Sequence, residues 1–163
     1  MEDFYSTIDH LQVSDWQKAV DLYVDQAISV TGSRIGYFAL LSWAEDSLTM
    51  LGWSKSAMDA CTSITKPIRY QLEETGLWGD CVRERGPVIT NDYANSKAPN
   101  KKGYPSGHVV VVRHMNVPVE EGSKIRGILG VGNKDRDYTA GDAERLQEFA
   151  NDAWKRMQRI LAL

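Results

Sequence analysis

The chain of 163 residues has only two cysteines, Cys61 and Cys81. Two cysteines make no disulfide framework, and these two stand in no CxxC or CxxCH arrangement, which excludes a zinc ribbon and a c-type haem attachment. Apolar runs are short: none approaches the roughly 18–20 residues needed to cross a bilayer. The N-terminus lacks a basic-then-apolar secretory pattern, so a cytoplasmic location is expected. An excess of one charge is missing as well. Nineteen Lys and Arg against 22 Asp and Glu leave a net charge of −3. The charges are interspersed, so no basic face calls for nucleic acid and no Lys/Arg cluster for an anionic membrane. Histidine is limited to His10, His108 and His114, and neither GxSxG nor HExxH occurs. The residues therefore point away from a hydrolase or a metal enzyme, and no catalytic residue is assigned.

With 42% hydrophobic and 25% charged residues, the chain fits one globular domain over 1–163. A helix is predicted over residues 15–31. Trp16, Ala19, Val20, Tyr23, Val24, Ala27 and Ile28 recur at spacings of three and four, Ser14 stands where a cap belongs, and Gly32 follows the end. Strands follow over 35–43 and 47–53, joined by a turn at Ala44-Glu45-Asp46. Ser54 opens a short helical turn that ends near Cys61. Residues 65–72 read as another strand, in which Pro67 fits an edge or a bulge. A short helix over 77–85 and a brief strand over 88–90 come next.

Residues 91–107 are rich in Asn, Ser, Lys, Pro and Gly and too long for an ordinary connection, which is the signature of a lid or a mobile insertion. The four valines 109–112 lead to a hairpin, 115–119 and 124–132, around Glu121-Gly122-Ser123. Gly127, Gly130 and Gly132 thin one strand, which implies close approach of a backbone or ligand, or else a bulge or tight helix packing. Asn133-Lys134 suits a structural role at a strand end. The last helix is expected over 139–163. Thr139 and Asp142 form a capping box there, Tyr138 is set for a hydrophobic staple, and an apolar stripe runs from Leu146 to Leu161 without a stop signal. That open end suggests a helix that continues into another domain. The order helix, mostly antiparallel strands, helix makes the fold class α+β, with the sheet and pocket region over 35–134.

The blocks Gly76-Leu77-Trp78-Gly79-Asp80-Cys81-Val82-Arg83 and Arg85-Gly86-Pro87-Val88-Ile89-Thr90-Asn91-Asp92-Tyr93 resemble GAF domains of bacterial and archaeal sensor histidine kinases. So do residues 101–108, Arg113-His114-Met115-Asn116-Val117-Pro118-Val119, Gly130-Val131-Gly132-Asn133-Lys134, and the earlier Trp53-Ser54-Lys55 with Cys61. Together they span roughly residues 35–154 in the expected order.

The resemblance implies a six-stranded antiparallel sheet (GAF/PAS-like). N- and C-terminal helices would lie on one face, with short helices and the long loop over a ligand pocket on the other. It further implies an input domain that senses a small molecule in a signalling protein such as a histidine kinase, a homodimer through the terminal helices, and a downstream output domain. Pocket candidates are Trp53, Cys61, Trp78, Tyr93, Tyr104, His108, Arg113, His114 and Asn116. Strand alternation puts Arg113 and Met115 on one side and His114 and Asn116 on the other, without saying which side holds the pocket. The cofactor is unknown. Haem is one possibility, with Cys61 and His108 as ligands, since thiolate and imidazole both bind haem iron. Against it, both cysteines also suit small buried hydrophobes, and His108 suits a loop-end histidine bonded to backbone. A module that binds nothing, dimerises and relays helix motion is the remaining alternative.

Overall fold

The computed structural model describes residues 1–59, 68–103 and 108–163. Among these residues five α-helices and six strands follow one another as α1 (Glu2–Asp9), α2 (Trp16–Thr31), β1 (Ile35–Leu41), β2 (Ser47–Trp53), α3 (Lys55–Asp59), β3 (Ile68–Gln71), α4 (Asp80–Arg83), β4 (Val88–Thr90), β5 (His114–Glu121), β6 (Lys124–Gly132) and α5 (Ala140–Leu161). The strands make one sheet in the order β3-β2-β1-β6-β5-β4, antiparallel throughout. The α+β class and the six-stranded antiparallel sheet hold as expected.

α2 buries Ala19, Val20, Tyr23, Val24 and Ala27 along one stripe, and it stops where Gly32 takes a left-handed φ of 66°. Two details differ from expectation. The helix starts at Trp16, after a 3-10 turn over Val13–Asp15 in which the Asp15 carboxylate accepts from the Gln12 amide at 2.9 Å; Ser14 is not the cap. Trp16, expected on the buried stripe, is 40% exposed. Helical side chains lean toward the N-terminus, so the first residue projects past the packed turns. α1 gave no sequence signal, because eight residues with two buried side chains, Phe4 and Ile8, are too few for a periodic pattern.

α5 begins with the expected reciprocal box. The Asp142 amide donates to Thr139 Oγ1 at 3.2 Å, and the Thr139 amide donates to Asp142 Oδ2 at 2.9 Å. Tyr138 is buried in the same cluster as Ala143, as a staple requires. The stripe from Leu146 to Ile160 is buried, and the helix closes at Leu161 with Ala162 left-handed, a stop that carries no glycine to announce it. The Tyr23 hydroxyl donates to the Ala150 carbonyl at 2.9 Å and joins the two long helices.

Two cores result. On one face of the sheet, Phe38, Met115, Val117, Leu129 and Val131 pack under α1, α2 and α5. On the other, Ala39, Leu41, Leu48, Met50 and Ile128 meet Cys81 and Val82 of α4. Each large side chain fully withdrawn from water contributes roughly 1.5–3 kcal/mol, so the helix layer is held chiefly by this burial. The pairing of β1 with β2 steps from Phe38↔Gly52 to Ala39↔Met50 and skips Leu51. That bulge turns both Met50 and Trp53 toward the face opposite the long helices. Among the described residues no helix is long and apolar enough to cross a membrane.

Candidate functional site

The face away from the long helices carries a cavity of about 420 Å³, a size typical of small-molecule sites. Its floor is made by three adjacent strands. Tyr37 of β1 and Asn116 of β5 both lie opposite Gly130 of β6. The Tyr37 hydroxyl donates to Asn116 Oδ1 at 2.7 Å, reaching across the intervening strand. A Cβ at position 130 would stand 2.1 Å from the Tyr37 ring and 2.5 Å from Asn116 Oδ1. Only glycine leaves room for the bond. Gly127 and Gly132 serve similar close approaches, by the Phe38 ring and the Ile35 side chain.

Asn116 continues the chain, its Nδ2 lying 2.9 Å from Nδ1 of His114. His114 is 9% exposed, and its Nε2 finds no partner among the described residues. Burial, opposed by the Asp80 carboxylate, lowers the His114 pKa to about 4. Burial, with a smaller push from Cys81, raises that of Tyr37 well above its ordinary value, so its hydroxyl keeps its proton.

The walls are aromatic. Trp78 packs edge-on against Tyr37 at 6.0 Å and Tyr70 at 5.3 Å, and Tyr93 packs edge-on against His114 at 5.7 Å. The wall leading to Trp78 is fastened by Arg83 of α4. Its guanidinium donates to the carbonyls of Leu72 and Gly76 at 2.9 and 2.7 Å and to Asp80 Oδ1 at 2.8 Å. Asn100 donates to the same Asp80 oxygen at 2.8 Å, tying the long loop to α4. Lys102 also lines the cavity, with its Nζ 2.8 Å from the Glu73 carbonyl.

Trp53, Trp78, Tyr93, His108, His114 and Asn116 line one cavity. Arg113 does not: it faces away, donating to the Lys134 carbonyl at 2.8 Å and lying 3.3 Å from Asp137. Strand alternation put Arg113 opposite His114, and the cavity lies on the His114 side. Cys61, Tyr104 and Pro67 lie outside the described residues. Cys81 is buried, and burial raises its thiol pKa well above the usual range. Tyr37, Met50 and Tyr70 also line the cavity and were not singled out in the sequence. A period-two pattern was there to find them, but the Leu51 bulge takes Met50 out of a simple alternation with Trp53. Among the described residues no group of three or more His, Cys, Asp or Glu could hold a metal ion.

The cavity wall is also fastened to the root of α5. Asn133, with φ of 58°, accepts from the Val112 amide at 2.8 Å and donates to the Val110 carbonyl at 2.7 Å, the structural role expected at a strand end. The Asn91 side chain donates to the Tyr138 carbonyl at 3.0 Å and accepts from its amide at 2.8 Å.

Comparison with known proteins agrees with this geometry. Residues 13–158 match the family described as GAF domain. The chain is 40% identical over 154 residues to the methyl sulfide methyltransferase-associated sensor of Methanosarcina acetivorans, covering 93% of this chain but 15% of that protein. Among solved structures it resembles the GAF domain of an Acinetobacter phosphoenolpyruvate-protein phosphotransferase, with a TM-score of 0.74, 16% identity and coverage of 99% of this chain and 92% of the other. It also resembles a free methionine-R-sulfoxide reductase of Neisseria meningitidis solved with its substrate, with a TM-score of 0.69, 16% identity and coverage of 96% and 85%.

Proposed function

The chain belongs to the GAF domain family, and we propose that it is the small-molecule-sensing input domain of a signal-transduction protein such as a sensor histidine kinase. The cavity of about 420 Å³, walled by aromatic rings and set across the sheet from α5, is the observation that carries this reading. A ligand there touches the wall formed by residues 108–111, which Asn133 holds to the end of β6. A bound state that shifts this wall biases the packing of α5, and α5 is the route to an output domain. A cytoplasmic location and a homodimer through the terminal helices complete the proposal. Met1, Val13, Trp16 and Leu163, at the ends of these helices, are exposed apolar residues, and sedimentation of the wild type against Trp16→Glu tests the dimer. The domain itself is proposed not to catalyse; Cys81 is buried as a neutral thiol and offers no thiolate.

The test is titration with indole as a neutral aromatic probe, followed by amide NMR. Saturable changes are expected at Trp53 and Trp78, with smaller ones at the first turn of α5. An unchanged spectrum at millimolar probe would refute the cavity as a binding site. A ligand-free relay module predicts that outcome.

One observation favours haem as a second reading. His108 lines the cavity with Nδ1 2.7 Å from the Val109 carbonyl. A carbonyl only accepts, so Nδ1 carries the proton and Nε2 keeps its lone pair, the form that ligates iron. Haem would then be held by His108 with Cys61, supplying redox or gas sensitivity. Reconstitution with haem should yield a Soret band that weakens in His108→Ala and Cys61→Ala; a band insensitive to both removes this reading.

A further inference from the structure

Resting on the cavity reading, we infer that the ligand is a zwitterion with an apolar body, in the class of α-amino acids with aromatic or aliphatic side chains; its carboxylate pairs with Lys102 and its ammonium with Glu74. Apart from two histidines, these are the only formally charged side chains among the described residues that line the cavity. They share one rim. Lys102 Nζ lies 2.8 Å from the carbonyl of Glu73, and a Cβ at position 76 would lie 3.5 Å from the Lys102 amide nitrogen. The segments 73–76 and 100–102 thus run side by side, with one sign of lining charge on each. Both are anchored to α4. Arg83 donates to the Leu72 and Gly76 carbonyls at 2.9 and 2.7 Å, and Asn100 donates to Asp80 Oδ1 at 2.8 Å. The two charges therefore start from fixed backbone.

Neither charge is spent inside the chain. Glu74 and Lys102 are exposed, and no ion pair joins either to a described residue. The Lys102 ammonium has three hydrogens and donates one to the Glu73 carbonyl, which leaves two for a ligand. Further walls are uncharged: Met50 and Leu77 are buried, and Trp53, Tyr70 and Trp78 are half-buried. An ion pushed among those rings would lose its hydration without a counter-ion, so charged groups stay at the rim and the apolar part goes inward. A ligand of one sign would pair with one rim residue and meet its own sign in the other. A carboxylate and an ammonium on one carbon answer both.

Three probes of similar shape separate the charges: L-phenylalanine, phenethylamine, which lacks the carboxylate, and 3-phenylpropionate, which lacks the ammonium. In calorimetric titration of the wild-type chain, L-phenylalanine should bind about threefold to fivefold more tightly than either analogue, the range that exposed ion pairs reach. The margin should shrink at about 1 M salt. Lys102→Met should erase the margin over phenethylamine and keep that over 3-phenylpropionate; Glu74→Gln should do the reverse. If a variant does not fold, the wild-type ratios and their salt dependence still decide. Equal affinities, a preference for a singly charged analogue, or a margin that neither substitution moves overturns the inference, while saturable indole binding leaves the cavity reading standing. If indole and all three probes fail to saturate, the cavity reading falls and this inference with it.

Discussion

Lys134 Nζ lies 2.7 Å from Asp142 Oδ1, and both side chains are buried. The pair joins the segment leaving β6 to the first turn of α5, on the same stretch that Asn133, Arg113 and Asn91 clasp. Tyr138 closes the cluster, its hydroxyl 2.7 Å from Ser33 Oγ. Cavity wall and helix root therefore share one set of polar contacts.

Removing the cation should expose what that pair is worth. Lys134→Met leaves Asp142 buried with only Arg145, at 2.5 Å, as a charged partner. A loss of about 2–4 kcal/mol is expected in urea unfolding, and pairing it with Asp142→Asn should recover part of that loss.

Gly130→Ala places a methyl group inside the Tyr37–Asn116 bond. Overpacking of this kind costs about 1–3 kcal/mol, read as a lowered Tm. Adding Tyr37→Ala to the same chain should make the two changes less than additive, because the obstructing ring is gone.

Acid should weaken the fold through His114. Its pKa is lowered to about 4 in the folded chain against an ordinary histidine value of 6.5, so the unfolded chain binds the extra proton between those values. Stability from the neutral buried ring is present above about pH 6.5 and is lost as pH falls toward 4, by up to about 3 kcal/mol. Unfolding free energies measured across that window should slope downward with acid, and His114→Gln should flatten the slope.

Asn91→Ala deletes both hydrogen bonds to the Tyr138 backbone. An expected loss of about 1–2 kcal/mol should be concentrated locally. Hydrogen exchange at the Tyr138 and Asp142 amides should accelerate, while the amides around Ala150 and Trp154 keep their protection.

The helices α2 and α5, the capping box at Thr139, the Gly32 stop and the hairpin at Gly122 were all readable in the sequence, because each depends on neighbours three or four residues apart or on a local turn. So was the resemblance of the motif blocks to GAF domains. What only the tertiary structure decided depends on residues far apart in the chain meeting at a set register. The choice of the His114 face over the Arg113 face is one case, since alternation separates the two faces without ranking them. The Leu51 bulge is another, because a one-residue step redirects Met50 and Trp53. The clearest is Gly130: its missing side chain has meaning only once Tyr37, 93 positions earlier, and Asn116 stand on either side of it. Local sequence sets which elements form. The pairing of strands across the sheet sets which side chains share a cavity.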